Sequence, residues 1–301
     1  DRLGGITFLD PACGSGNFLT ETYMCLRRLE NRVLTELQAA EAARKSKVAE
    51  GQTGLDFGDD GTGESPVKVT LANFHGIEIN DFACCVARTA LWIAEKQADI
   101  NTEKVIRRVY DPLPLCEYDT IIQGNALRMD WNTVVPTSEV DYIIGNPPFL
   151  GAKIMSADQK KEVVDLFDGV KLANSVDYVA AWYIKAAEKM KDNRGIRAAF
   201  VSTNSICQGQ QVAPVWGTLI DRYGVSIDFA RRTFIWDSQA DDRAHVHVVI
   251  VGFSVGDHSG KVIYCGDEAQ PVRHINPYLV DAPDVIVSTA AKPVCPGVPE
   301  C

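Results

Sequence analysis

Apolar and polar positions along the chain fall into a repeating order of strand and helix. The run Ile6 to Leu9 is short and apolar, closes on Asp10 and opens into a turn with two glycines, as a buried strand feeding a helix does. Apolar positions at Phe18, Leu26, Leu29, Val33 and Leu37 predict the core-facing stripe of a long first helix. Residues 44–66 then lose the pattern. Glycine, lysine and acidic residues dominate, and the stretch ends in Ser65-Pro66, which predicts a flexible insert. The order resumes with a strand ending at Glu78, a helix over about 82–98, and strands near 119–123 and 140–145. Ser156 to Phe167 is predicted helical, and Val176, Val179, Ala180, Tyr183, Ile184 and Ala187 form the apolar face of another helix that stops near Gly195. A strand over Ile196 to Ser202 and a further helix follow. The alternation Val225, Ile227, Phe229 and the apolar run Val246 to Phe253 then read as an antiparallel hairpin. This alternation predicts an α/β fold on a mostly parallel sheet.

Two strand ends carry candidate chemistry. The strand after Val140 closes in Asn146-Pro147-Pro148-Phe149. Proline biases Asn146 toward an extended backbone, and neither proline has an N–H to give to a ladder, so the turn presents groups to a ligand. The Asn146 side-chain oxygen and the Pro147 carbonyl are two acceptors suited to the two hydrogens of a planar exocyclic amine, with Phe149 available to stack on the attached ring. Holding both hydrogens draws the nitrogen lone pair out of conjugation as the transition state forms, which activates the nucleophile without a side-chain base. The plain alternative is a strand end with a proline turn.

At the first strand end, Asp10-Pro-Ala12-Cys-Gly14-Ser-Gly16 places glycines where a backbone must come close to a ligand and to the following helix. The dinucleotide fingerprint is incomplete, because Leu19 stands where its third glycine belongs and the next acidic strand end, Glu78, arrives far beyond the interval of roughly 20 residues that such enzymes use. Glu78 can still grip a ribose diol. Gly124-Asn125-Ala126-Leu127 follows a third apolar strand.

In chain order, the turn from Asp10, Glu78, Gly124–Leu127 and Asn146–Phe149 together resemble the S-adenosylmethionine-dependent DNA adenine-N6 methyltransferases, most closely the methyltransferase core of large single-chain type II restriction-modification enzymes. The similarity runs along nearly the whole chain. It includes Leu150-Gly-Ala-Lys-Ile-Met, Val176-Asp-Tyr-Val-Ala-Ala-Trp182, Ala198-Ala-Phe-Val-Ser-Thr-Asn-Ser205 and Arg232-Thr-Phe234-Ile-Trp236. The resemblance implies a class I Rossmann-like methyltransferase fold, with a mostly parallel seven-stranded sheet, an antiparallel C-terminal hairpin and helices on both faces. It implies a catalytic domain over residues 1–255 and an exit segment over 256–301 leading to a target-recognition domain. It also assigns roles. Asn146, Pro147 and Phe149 are the catalytic set, and Phe234, placed in the hairpin loop, stacks with Phe149 on the extruded base, Trp236 being second choice. The cofactor S-adenosyl-L-methionine is expected against Asp10, Ala12, Gly14 and Gly16, with Glu78 on the ribose, Ile79 under the adenine ring, and Asn125 and Ala126 at its edge. Many relatives carry aspartate where Asn125 stands. The family's helix after Val176 runs near the cofactor, so Asp177 and Tyr178 are further candidates for its methionine end, although a helix start also accounts for Asp177.

The expected reaction is methyl transfer to the N6 amine of a flipped adenine in double-stranded DNA. DNA cytosine N4, RNA adenine or protein glutamine as substrates, and a catalytically silent DNA-binding scaffold, remain the alternatives. A net charge of -10 argues against a basic groove over the whole surface, since DNA affinity rests on phosphate neutralisation. Either a recognition domain beyond Cys301 supplies the charge, or Arg194, Arg197, Arg231, Arg232 and Arg243 form a local cluster; ordinary solvated arginines are the simpler reading. The nine cysteines show no Cys-x-x-Cys pair, so no metal site is expected and a reducing, cytoplasmic setting is. No apolar run is long enough for a membrane span. Glu-x-Lys is absent, so cleavage is not expected of this chain, and any nuclease would lie elsewhere in its parent. The resemblance also implies a segment before the first strand that helps hold the cofactor, and residues from Asp1 onward without it are expected to bind cofactor poorly.

Overall fold

The computed structural model describes residues 2–49, 66–106, 118–236 and 246–287. Two compact units emerge: Asp1–Ala126 with Thr133–Val135, and Leu127–Asn132 with Pro136–Cys301.

The first unit runs β1 (Phe8–Asp10), α1 (Asn17–Ala49), β2 (Phe74–Glu78), α2 (Asp81–Ile106) and β3 (Ile121–Gln123). β1 pairs with β2 and β2 with β3, both in parallel, as helical crossovers demand. Leu9, Phe74, Ile77 and Ile121 are fully or almost fully buried, which is why these strands read as apolar runs. The predicted stripe of α1 is not the buried one. Leu29, Val33 and Leu37 are exposed, and the helix instead buries Leu19, Tyr23, Arg27 and Glu30. A buried guanidinium needs partners for its charge, and Arg27 Nε faces Glu30 Oε2 at 3.3 Å. Arg27 Nη1 donates to Tyr23 Oη at 2.6 Å, and Nη2 donates to Asp99 at 3.2 Å and Thr102 at 2.9 Å, both on α2. Glu30 Oε1 accepts from the backbone N–H groups of Lys68 and Val69. The expected insert over 44–66 begins inside α1, and residues 50–65 lie outside the described residues.

The second unit runs β4 (Tyr142–Gly145), α3 (Ala157–Leu166), α4 (Ala180–Asp192), β5 (Arg197–Thr203), α5 (Thr218–Tyr223), β6 (Val225–Trp236), β7 (Val246–Val255), β8 (Lys261–Cys265) and β9 (Glu268–Val272). Its strands lie in the order β4-β5-β7-β6-β8-β9. β4 and β5 are parallel, while β7 is antiparallel to both β5 and β6, so the expected hairpin is present within a mixed α/β architecture. Two strands extend the seven expected: β8 pairs in parallel with β6, and β9 returns along β8 as the outer strand, with Pro271 opposite Val262. Both lie within the stretch read as an exit segment. Tyr183, Phe200 and Phe253 form the aromatic centre of this unit, with Tyr183 stacked on Phe253 at 4.9 Å. α3 starts with a reciprocal cap: Ser156 Oγ accepts from the Gln159 N–H, and Gln159 Oε1 accepts from the Ser156 N–H. Among the described residues no helix is long and apolar enough to cross a membrane.

Candidate active site

In the first unit the turn after β1 is built around one carboxylate from the next strand. Gly14 adopts φ +54° and Gly16 φ +83°, a region that only glycine enters without strain. The Gly14 N–H donates to Glu78 Oε2 at 2.9 Å, and the Asn80 N–H donates to Glu78 Oε1 at 2.9 Å. Glu78 is thereby aimed at the turn, with further lone pairs on each oxygen for a diol. Its own carbonyl accepts from the Gly124 N–H at 2.8 Å, which brings half-buried Asn125 and buried Ala126 to the same strand ends. Next to Glu78, Ile79 is 65% exposed and Phe82 74%, an apolar surface where a ring could rest. A Cβ added at Gly14 would meet nothing within 4 Å, whereas one added at Gly16 would lie 3.1 Å from Ala87 of α2. The first glycine leaves space in front of the turn; the second permits the helix to pack behind it.

Asp10 ends β1 and is 1% exposed, its Oδ1 accepting from the Ala12 N–H at 3.0 Å. Burial raises its carboxyl from 3.8 to about 7, opposed by the Ala12 hydrogen bond and reinforced by nearby Glu78. Cys13 packs against Gly76, where an added Cβ would lie 2.8 Å from its sulfur, and burial pushes its thiol well up. It is a packing residue rather than a nucleophile.

In the second unit β4 delivers the Asn146–Phe149 turn. Asn146 is half-buried, yet its Oδ1 is fully shielded and has no hydrogen-bond partner among the described residues. An unpartnered buried acceptor costs about 1–3 kcal/mol, so a ligand that supplies the missing donor would gain by binding there. Pro147 is buried and Phe149 half-buried. Phe234 lies on β6 rather than in the hairpin loop, opposite Val248, because the ladder with β7 continues to Trp236 and Val246. A bulge between Arg231 and Phe234 re-aims the strand, and the Arg231 guanidinium sits 5.1 Å from the Phe234 ring centre. Of the arginines considered, Arg194 and Arg232 are exposed, Arg197 pairs with Asp228 at 3.6 Å, and Arg243 lies outside the described residues. Asp177 Oδ1 accepts from the Leu150 N–H at 3.1 Å, just beyond Phe149.

Residues 1–265 match the family described as MmeI, DNA-methyltransferase domain. The chain belongs to this family. DNA methyltransferase A of Bacillus subtilis (strain 168) is 38% identical over 297 residues, covering 97% of this chain and 31% of its own length. The solved structure of the type IIL restriction-modification enzyme MmeI in complex with DNA superposes with a TM-score of 0.85 at 39% identity, over 98% of this chain and 38% of that one. The chain therefore spans about a third of the length of these two relatives. For an MmeI-type methyltransferase domain the expected cofactor is S-adenosyl-L-methionine. The residues present fit it: an open glycine cradle, a carboxylate for a ribose diol and exposed apolar side chains for a purine occur together at the strand ends of the first unit.

Proposed function

We propose that this domain transfers a methyl group to the exocyclic N6 amine of an adenine flipped out of double-stranded DNA, as the modification part of a restriction-modification or phage-defence protein. The observation that carries the reading is the shielded, unpartnered Oδ1 of Asn146. S-adenosylmethionine, when bound, supplies the electrophilic methyl group. The chain's own residues hold the nucleophile. Asn146 Oδ1 and the Pro147 carbonyl accept the two amine hydrogens, turning the nitrogen lone pair toward its electrophile, and the surplus proton leaves to solvent after transfer. Asp10, Ala12, Gly14, Gly16, Glu78, Ile79, Asn125 and Ala126 form the cofactor-holding set.

Phe149 and Phe234 are assigned to the faces of the extruded base. Stacking contributes roughly 1–3 kcal/mol per base, comparable with the few kcal/mol that extrusion costs. Sequence recognition is assigned to parts of the parent protein beyond this chain, whose net charge of -10 does not by itself suit a long phosphate backbone. Nucleoside mass spectrometry of unmethylated DNA incubated with cofactor and the intact parent protein tests the reading. N6-methyladenine that vanishes in Asn146→Ala supports it; methylcytosine would move the target, and transfer undiminished in the variant would remove the mechanism.

A further inference from the structure

Asp177 stands just before α4 and is 4% exposed. Its Oδ1 accepts from the Leu150 N–H at 3.1 Å and from the Val179 N–H at 3.3 Å, and its Oδ2 accepts from Thr203 Oγ1 at 3.1 Å. Its own N–H donates to Gln211 Oε1 at 2.8 Å. The next residue, Tyr178, donates its N–H to the Leu150 carbonyl at 3.0 Å. Residues 177 and 178 thus hold both main-chain groups of Leu150, the residue immediately after Phe149.

A helix start explains only the Val179 bond. The bonds to Leu150 and Thr203 leave the helix and join two other elements: Thr203 ends β5, the parallel neighbour of β4, and Leu150 ends the turn that β4 delivers. The turn has reason to need an outside hold, because Pro147 and Pro148 have no N–H with which to anchor it. Its first residue follows directly on Gly145, the last residue of the β4 ladder, and its exit is fixed by one carboxylate braced against β5. We infer that Asp177 is the positioning residue of the Asn146–Phe149 turn, holding the Asn146 amide and the Pro147 carbonyl in the mutual orientation that one amine requires. The inference rests on the reading of that turn as the amine-holding site. It assigns Asp177 to the geometry of the nucleophile and not to cofactor binding.

Full-length parent protein carrying Asp177→Ala, Asp177→Asn or Thr203→Val tests this with three readouts: single-turnover methyl transfer, cofactor affinity by calorimetry, and amide exchange over Phe149 to Lys153. A misplacement of about 1 Å costs on the order of 10²-fold in rate. Asp177→Ala is expected to lose about that much, with cofactor affinity unchanged and faster exchange across Phe149 to Lys153. Asp177→Asn, which keeps an acceptor for Leu150, recovers part of the rate. Thr203→Val is nearly isosteric, folds if the alanine variant does not, and shifts rate and exchange in the same direction by less. Unchanged exchange in Phe149 to Lys153 overturns the inference, as does a rate loss matched by an equal loss of cofactor affinity. Faster exchange in a protein whose wild type methylates no base would sink the methyltransferase reading while leaving the clamp in place.

Discussion

Glycine shapes the turn after β1, and proline shapes the turn after β4. In the first, two residues are of positive φ, the Gly14 N–H points at the Glu78 carboxylate, and the other oxygen of that carboxylate accepts from the Asn80 N–H. In the second, the backbone is stiff and short of donors, one side-chain oxygen is left without a partner, and the hold comes from Asp177 outside the turn. The contrast separates two ways of preparing for a ligand. The first turn has space and satisfied polar groups, so it suits a molecule bound through shape and additional lone pairs. The second carries an unmet acceptor, so it suits a molecule that brings a donor and gains most when that donor's electrons are shifting.

The sharpest break between the turns is expected from Asn146→Ala. Loss of a preorganised acceptor should lower methyl transfer by about 10²–10³-fold, while urea unfolding shows no loss of stability, because a buried oxygen without a partner is removed. A variant that unfolds more easily would show that Asn146 Oδ1 is satisfied in solution. Next is the pH response of the first turn. The folded protein holds Asp10 protonated where the unfolded chain has released its proton, so that group's contribution to stability is complete below pH 3.8 and is lost as pH rises toward about 7. Relative to Asp10→Asn, the wild type should lose about 1.4 kcal/mol per pH unit within that window and level off above it. A flat difference across the window would mean that the carboxyl titrates normally.

The two glycines should then part company. Gly16→Ala brings a methyl to 3.1 Å from Ala87 in a left-handed conformation and is expected to cost about 1–3 kcal/mol in thermal melts. Gly14→Ala carries only the backbone penalty of about 1–2 kcal/mol, and its main effect should be weaker cofactor binding by calorimetry. Equal loss of binding in both variants would erase the distinction between space in front and packing behind. Smallest is Arg231→Ala. Removing a cation from the Phe234 ring is worth about 0.5–1 kcal/mol, so the KM for DNA should rise only a few-fold.

Local features were legible in the sequence and distant partnerships were not. The apolar runs of β1, β2 and β4 and the motifs at their ends follow from neighbours in the chain, and the structure places them as strands and turns. The face of α1 departs from its apolar period because Arg27 and Glu30 are buried by groups on α2 and at Lys68 and Val69, which no helical period shows. The polar residues after Phe234 suggest a loop, whereas its strand is carried on by pairing with β7. β8 and β9 escaped notice because β8 is short and β9 is largely exposed, leaving no alternation to read. The role of Asp177 depended on Leu150 and Thr203 meeting it from opposite directions in the chain. Its place before a helix and the resemblance around Val176 to Trp182 single it out in the sequence, but neither shows these partners.

β9 also bears on how copies of this protein behave in concentrated solution. Among the described residues it is the outermost strand of its unit, largely exposed, and Pro271 is the fourth of its five residues. A passing strand from another copy would look for a continuous row of donors and acceptors along such an edge, and at Pro271 the donor is missing. Among the described residues, the donor row of this edge is interrupted at a single imino acid. Replacing it would remove a safeguard against self-association without touching the chemistry of either turn.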